Sequence, residues 1–491
     1  MGLAKHRLDS LHRRDFLAGH ALVNGQWISG KHRSIVTDPA TGEEIATVAQ
    51  CEVQEVDSAI DAAEQAFSGW RDLLPVERGD LLKAWATAIR AHADELAILI
   101  TCEQGKPLVE ARQEIDYGAG FLEWFAAEGE RAYGDTIPNH RRASLLYTRL
   151  QPVGIVAAIT PWNFPSAMIT RKSAAALAAG CPVIVKPALE TPLSGLALAR
   201  IAQQVGVPSG VFQVVTGDGA VIANRLLDDT RVRALSFTGS TSVGRLLLER
   251  AAKTVKRVSL ELGGHAPLIV FDDANVEAAV QGAMAAKFAT SGQDCLAANR
   301  IYIQRSIYNE FNKAFGAAIG RLRLGHGMDP DTDIGPMTKL SVAAKCRAQI
   351  EDALARGARL ITGGSCSQIG GTFVTPTLLA DVSDTMLISQ EETFGPIAAT
   401  MVFDSEEEVL GRANASEMGL AGYVYTDDLR RALRVSDRLE CGMVGVNTSS
   451  FTGPPVPFGG WKQSGVGREG SRHGLSEYLN LKYVCCGDLA A

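Results

Sequence analysis

From Gly154 to Gly264 the sequence alternates without a break. Short apolar runs, GIVAAIT (Gly154–Thr160), PVIVKP (Pro182–Pro187), VFQVVTG (Val211–Gly217), RALSFTG (Arg233–Gly239) and RVSLEL (Arg257–Leu262), are separated by longer Ala/Leu-rich stretches that include SAMITRKSAAALAAG, LSGLALARIAQQVG and TSVGRLLLERAAK. Runs of strand length punctuated by Gly and Pro and spaced by segments of helical length predict parallel strands with crossover helices, a doubly wound α/β sheet. Ligands of such sheets sit at the carboxyl ends of the strands. That rule places Asn163, Lys186, Gly217 and the Phe237–Ser240 turn on one rim.

Downstream, a second α/β unit opens with APLIVFDDAN. It continues through a helix before Cys295, the strand RIYIQ, a helix over Tyr308–Gly320, and the strands YVY and VGVN, then passes into the glycine-rich PFGGWKQSGVGREGSRHG. Upstream, VNGQW and the turn DPATGEE read as hairpins. Val53–Glu130 has charged and apolar residues at helical spacing, with Gly105 and Pro107 ending the second helix. Its charges, and His92, read as solvated faces. Ser144–Leu150 is β-like but lies outside any βαβ unit, which makes it a candidate for pairing with another subunit.

A chain of 491 residues exceeds one hydrophobic core, so two or three domains are expected. Hydrophobic residues at 46% and charged residues at 21% place it among globular proteins, and a net charge of −7 argues against a nucleic-acid partner. The uncharged run Leu150–Thr170 is long enough to span a membrane, but Pro152, Pro161, Pro165 and Asn163 within it exclude that reading. The start, MGLAKHRLDSLHRR, is basic without an apolar signal core and reads as an exposed arm or helix. Nine cysteines without framework spacing indicate reduced thiols and a cytoplasmic setting. No metal site is expected.

Several residues carry candidate chemistry. Cys295, in FATSGQDCLAANR, looks like a thiol offered from a turn; the alternative is a small buried hydrophobe. A thiol needs help to ionise, and Glu261, which closes the run VSLEL before Gly263 and Gly264, could serve as a base towards it or towards water. FTGSTSVGR puts Gly239 and Gly244 at a helix start that could hold a phosphate. Lys186 ends a buried strand and either binds a ribose or phosphate or snorkels. Asn163, between Pro161 and Pro165, offers a rigid amide donor for an oxyanion, or else caps a turn.

Taken in order and spacing, TPWNFP, KPA, FTGS, LELGG, GQDC, EETFGP (Glu391–Pro396) and PFGG (Pro457–Gly460) resemble the aldehyde dehydrogenase superfamily over nearly the whole chain. EQGKPLVEAR, YGDTIP, WNFPSAMITRKSAAALAAGCPV and GREGSRHG are most similar to succinate-semialdehyde dehydrogenases. The resemblance implies an α/β fold with a Rossmann-type cofactor domain (1–130 and 153–264), a second α/β catalytic domain (265–470) and a small β oligomerisation arm (131–152 and 471–491). It further implies NAD or NADP as cofactor, a small-molecule aldehyde as substrate, and a homodimer or homotetramer built partly through Ser144–Leu150 and Ser476–Tyr483. By the same resemblance Cys295 is the nucleophile, Glu261 the base that activates the hydrolytic water, Asn163 and the Cys295 backbone N–H the oxyanion donors, and Lys186 a further member of the catalytic set. Cofactor contacts fall on Ile159, Thr160, Trp162, Lys186, Pro187, Ala188, Leu189, Gly219, Phe237, Gly239, Ser240, Val243, Leu262, Glu392 and Phe394. Substrate contacts fall on Arg171, Phe164 and Phe458.

Three positions depart from the family pattern. NAD-preferring members commonly carry Glu three residues after the strand-end lysine, where this chain has Leu189, so the cofactor stays open between NAD and NADP. The second of two arginines that grip a distal carboxylate is replaced by Ala289, which opens the choice between a succinate-semialdehyde-type substrate and a longer, aromatic or amino aldehyde. Ala297 removes the cysteine that forms a redox disulfide with the nucleophile in some relatives. Transfer to coenzyme A is disfavoured by the presence of Glu261, a cysteine hydrolase by the lack of a nominated histidine, and a non-catalytic binding protein by the joint presence of Cys295, Glu261 and Asn163.

Overall fold

The computed structural model describes residues 8, 11–364 and 370–488. Its 8-stranded sheet runs, edge to edge, Gln26–Ile28, Ala21–Val23, Phe212–Val214, Val183–Lys186, Ile155–Ile159, Val232–Thr238, Arg257–Glu261 and Gly465–Val466. The strands expected between Gly154 and Gly264 form its parallel centre, and the chain reverses direction of growth on either side of Ile155–Ile159. Register brings Ile159 level with both Lys186 and Phe237, and Thr238 level with Glu261. Four candidate residues therefore finish side by side at one sheet edge. Gly217 lies at the same end but packs against Cys51, and it is Gly219 that reaches the cavity described below.

The helix Ala167–Ala179 is buried at every residue. Its alanines admit the helix Leu108–Gly129 so closely that a Cβ on Gly118 would stand 2.8 Å from Thr170 Oγ1. Helices Pro75–Ala91 and Ala93–Gln104 are broken at His92, where a single helix was expected; Gly105 (φ 101°) caps the second in the left-handed region. The hairpin at Asn24–Gly25 has φ of 49° and 72°, the signs a two-residue Asn-Gly turn requires.

A 7-stranded sheet follows in the order Arg359–Thr362, Thr377–Ala380, Ile397–Phe403, Ala298–Gln304, Ala266–Val270, Ala421–Tyr425 and Met443–Val446, parallel except at the first pair. The tail returns to the first sheet: Gly465–Val466 pairs antiparallel with the end of Arg257–Glu261 and covers its edge. The strand Leu145–Pro152, which covers the run expected to pair with another subunit, pairs along its whole length with Leu479–Cys486 of its own chain. The pairing partner lies over 300 residues away, a separation local pattern cannot bridge. Leu481 and Tyr483 on that arm remain exposed.

Of the basic leader, residues 1–7, 9 and 10 lie outside the described residues, as do 489–491 of the C-terminal segment. Leu8 and Leu11 are buried, which corrects the exposed arm at those positions. No helix among the described residues is long and apolar enough to cross a membrane. The eight described cysteines are free thiols.

Candidate active site

Two adjoining cavities open where the sheets meet. A pocket of about 560 Å³ is lined by Cys295, Glu261, Asn163, Phe164, Arg171 and Phe458, and also by Leu262, Glu392 and Phe394. A second cavity of about 760 Å³ is lined by Ile159, Thr160, Trp162, Lys186, Ala188, Leu189, Gly219, Phe237, Gly239, Ser240 and Val243. Pro161, Trp162, Thr238, Gly239 and Ser240 line both, so the two are continuous. Pro187, the residue after the strand, is buried beside Gly195 and is not among the residues that line either cavity.

The nucleophile candidate sits on an unusual turn. Thr290, Ser291 and Gly292 have φ of 50°, 57° and 74°, three successive residues in the left-handed region. Surrounding contacts hold them there: the Thr290 N–H donates to Glu110, Ser291 Oγ accepts from Gly335 N–H (2.8 Å), and a Cβ at Gly292 would collide with the Gly395 carbonyl. On the other side the Cys295 carbonyl lies 2.2 Å from where a Cβ of Gly264 would be, so only glycine lets the Glu261 strand end pass this close. Ser464 ties the same strand end to the tail through Gly263 O (2.7 Å) and Gly419 N (2.9 Å).

Asn163 Nδ2 donates one hydrogen to the Gln293 carbonyl (3.0 Å), which fixes the amide beside the nucleophile turn and leaves its second hydrogen for another acceptor. Both Glu261 carboxylate oxygens are buried without a hydrogen-bond partner. Burial, then the Glu469 charge, pushes the Glu261 carboxyl well above its usual range, against the opposing pull of Arg171 and Lys172. Burial likewise raises the Cys295 thiol, with Asp294 and Glu392 adding to it and Arg171 opposing. Desolvation thus disfavours the charged form of both groups, and a cation entering the pocket would lower both.

In the second cavity, Lys186 is buried at its strand end and its pKa is lowered by desolvation. A Cβ on Gly219 would project next to its ammonium at 3.5 Å, so the missing side chain is space within a cradle. Ser240 caps the helix Thr241–Ala252 by accepting from Val243 N–H (3.4 Å), and that helix start faces the cavity. Where the cavities join, Trp162 and Phe394 meet edge to face with centroids 5.4 Å apart. Glu392 is anchored by Gly264 N–H (2.9 Å), and burial lifts it to about 7.

The sequence pattern of the aldehyde dehydrogenase family matches residues 27–484. The chain belongs to that family. It is 49% identical over 469 residues to the succinate-semialdehyde dehydrogenase [NADP(+)] of Escherichia coli, covering 95% of this chain and 97% of that protein. It is 52% identical over 474 residues to a non-phosphorylating aspartate-semialdehyde dehydrogenase of Halomonas elongata, covering 96% of each. The crystal structure of an aldehyde dehydrogenase from Brucella melitensis biovar abortus superposes with a TM-score of 0.96 at 51% identity, covering 97% of this chain and 99% of that one.

Within this aldehyde dehydrogenase, sequence reading missed the charges that surround the predicted residues. Arg171 Nε stands 2.6 Å from Glu469 Oε2 without hydrogen-bond geometry, its guanidinium lies 3.7 Å from the Phe458 ring centroid, and Nη2 is buried without a hydrogen-bond partner. Lys172 also reaches Glu469, and donates to Ser236 Oγ (3.2 Å). Two adjacent cations in an otherwise uncharged, Ala-rich helix were the available signal that a carboxylate must meet them. Lys106 pairs with Glu114 (2.7 Å) and donates to the Asn163 carbonyl (2.8 Å), thereby holding Asn163 from behind. Lys339 bonds Glu190 at the rim of the second cavity, next to Leu189.

Proposed function

We propose that this aldehyde dehydrogenase oxidises a semialdehyde with a distal carboxylate, of the succinate-semialdehyde type, to the corresponding acid, with NAD or NADP as cofactor. The observation that carries this reading is the convergence of Cys295, Glu261, Asn163 and the buried Arg171 on one pocket continuous with the Lys186 cavity. The relatives named above act on semialdehydes, which supports the substrate class.

In this reading Arg171 binds the distal carboxylate through its unpartnered Nη2, and Phe164 and Phe458 line the chain between. Cys295 Sγ attacks the aldehyde carbon. The resulting oxyanion takes the second Asn163 amide hydrogen and the Cys295 backbone N–H, donors whose loss typically costs about 3 kcal/mol. When bound, oxidised nicotinamide supplies the hydride acceptor and a positive charge. Lys186, Gly239 and Ser240 in the second cavity, with Glu392 and Phe394 in the first, would hold the cofactor. Glu261 accepts a proton from the water that hydrolyses the Cys295 thioester. Overall, aldehyde, water and oxidised cofactor give carboxylate, reduced cofactor and two protons.

Neither Leu189 nor the ion-paired Glu190 presents a free carboxylate to repel a 2'-phosphate, which favours acceptance of NADP beside NAD. The exposed Leu481 and Tyr483 on the three-stranded arm support assembly into a dimer or tetramer. The deciding experiment is a steady-state panel of semialdehydes, aromatic aldehydes and aminoaldehydes with each cofactor and no coenzyme A. Acid product with a semialdehyde preference is expected, and a Cys295→Ala protein that oxidised aldehydes at the parent rate would overturn the reading.

Ala289 supports a second reading of specificity. It is exposed at the pocket rim, so the site lacks a second arginine there. Ala289→Arg should raise kcat/KM for succinate semialdehyde; no gain would refute a paired-arginine clamp at this position.

A further inference from the structure

The run from Asn163 to Arg171 carries the two groups that meet the aldehyde and the distal carboxylate in the reading above, and a buried ion pair that the reaction does not use holds it in place. Its helical part, Ala167–Ala179, begins without a cap of its own: Ser166 stands at the N-cap position and makes no side-chain capping bond. The first N–H groups of a buried helix must still be satisfied. Glu114, from the helix Leu108–Gly129, does this instead, its Oε1 accepting from Ser166 N–H (2.8 Å) and Ala167 N–H (3.1 Å). Arg171 follows four residues after Ala167, one turn along the same face. The other Glu114 oxygen accepts from Lys106 Nζ (2.7 Å), and Lys106 donates again to the Asn163 carbonyl (2.8 Å), with its ammonium 4.0 Å from the Phe164 ring centroid. Both side chains of the pair are wholly buried. Lys106 is not among the residues that line the pocket, so its influence on the reaction passes through these partners.

We infer that Lys106 and Glu114 are positioning residues, which together fix the spacing between the oxyanion donor Asn163 and Arg171 and so set the length of semialdehyde that is oxidised. This rests on the semialdehyde reading and deepens it. One carboxylate ties both ends. Through Lys106 it holds the peptide of Asn163, whose side chain is fixed by the Gln293 carbonyl (3.0 Å), and through its other oxygen it holds the first turn of the helix that carries Arg171. Charge-assisted bonds of this kind are short and directional, which leaves the run little slack. A substrate of matching length reaches Cys295 and Arg171 together. One methylene more or less satisfies one end at the expense of the other.

The test compares succinate semialdehyde with glutarate semialdehyde, which is one methylene longer, on the full-length protein. The parent protein should favour one length over the other by about tenfold or more in kcat/KM, the worth of one methylene in a fitted pocket. The double variant Lys106→Met/Glu114→Gln opens the link without stranding a buried charge, and its amide oxygen keeps an acceptor for the Ser166 and Ala167 N–H groups. It should lose most of the length preference. Its kcat with the favoured substrate should fall about 10²-fold, the scale of a misplacement of about 1 Å, and the burst of reduced cofactor should disappear, because a loosened Asn163 slows the step that precedes it. Glu114→Gln alone, which keeps the helix cap and weakens only the Lys106 side, should shift the same ratio less. A role in stability alone would lower the denaturation midpoint and leave the length preference and the burst of the folded enzyme as in the parent. That result, or equal use of both lengths by the parent protein, would overturn the positioning role while leaving semialdehyde oxidation intact. A parent protein that oxidised aldehydes without favouring those with a distal carboxylate would instead remove the semialdehyde reading, and the setting of length with it.

Discussion

Two groups of buried charges flank Asn163, and they differ in how completely they are satisfied. In the first, Glu114 accepts from Lys106 Nζ (2.7 Å), Ser166 N–H (2.8 Å) and Ala167 N–H (3.1 Å), while Lys106 donates again to the Asn163 carbonyl. In the second, Glu469 must balance both Arg171 and Lys172, and Arg171 Nη2 and both Glu261 oxygens are left without partners. Buried polar atoms are almost always paired, and Arg171 and Glu261, which carry these unpaired ones, line the pocket that a ligand would enter. The closed group braces the site; the open group is placed to do chemistry.

The sharpest way to break this contrast is through the open group. Glu261→Gln should cut turnover by about 10²–10⁴-fold, the usual contribution of a general base. A burst of reduced cofactor equal to the enzyme should precede the slow phase, because acylation of Cys295 survives; a slow phase without a burst would move Glu261 to an earlier step. The same substitution should leave the denaturation midpoint unchanged or raised, since it removes a desolvated, unpaired carboxyl.

Next in size comes the closed group. Lys106→Met strands the Glu114 carboxylate in the interior and should cost about 3–5 kcal/mol of stability, measured by denaturant unfolding. A loss below about 1 kcal/mol, the range of exposed pairs, would show that the two groups are not different in kind.

The pH profile sharpens the comparison further. Burial raises the Glu261 carboxyl and the Cys295 thiol, so both active forms grow as pH rises, and kcat should climb from neutral into alkaline pH. Because the folded Glu261 pKa lies above its unfolded value, its favourable contribution to stability is complete below that unfolded value and is lost as pH rises through the folded one. Activity gained with pH should therefore be accompanied by a falling denaturation midpoint. The Glu261→Gln protein should lack this Glu261 share of the fall.

The smallest effect lies at the cofactor end. Leu189→Glu should lower kcat/KM for NADP relative to NAD by about tenfold, one repelled charge at a solvent-facing site. An unchanged ratio would place the 2'-position elsewhere.

Much of this was legible before any coordinates. Alternating apolar and Ala/Leu-rich runs gave the parallel centre of the first sheet, and the strand-end rule put Asn163, Lys186 and the Phe237–Ser240 turn on one rim, because both rest on local pattern. Residues whose partners lie far along the chain escaped. Glu469 sits in a glycine-rich tail with no periodicity to orient it, yet it meets Arg171 and Lys172 almost 300 residues earlier. The pairing of Leu145–Pro152 with Leu479–Cys486 was hidden for the same reason.

The left-handed turn at Thr290–Gly292 bears on how this enzyme can be made hardier. Each side chain held in that region costs about 1–2 kcal/mol, so Thr290→Gly is the kind of swap that a screen for heat tolerance would reward, whereas Ser291→Gly would also strand the buried Gly335 N–H. Those gains would come from letting the loop that aims the sulfur relax, and a selection that scored survival alone would drift towards robust molecules that misplace their nucleophile.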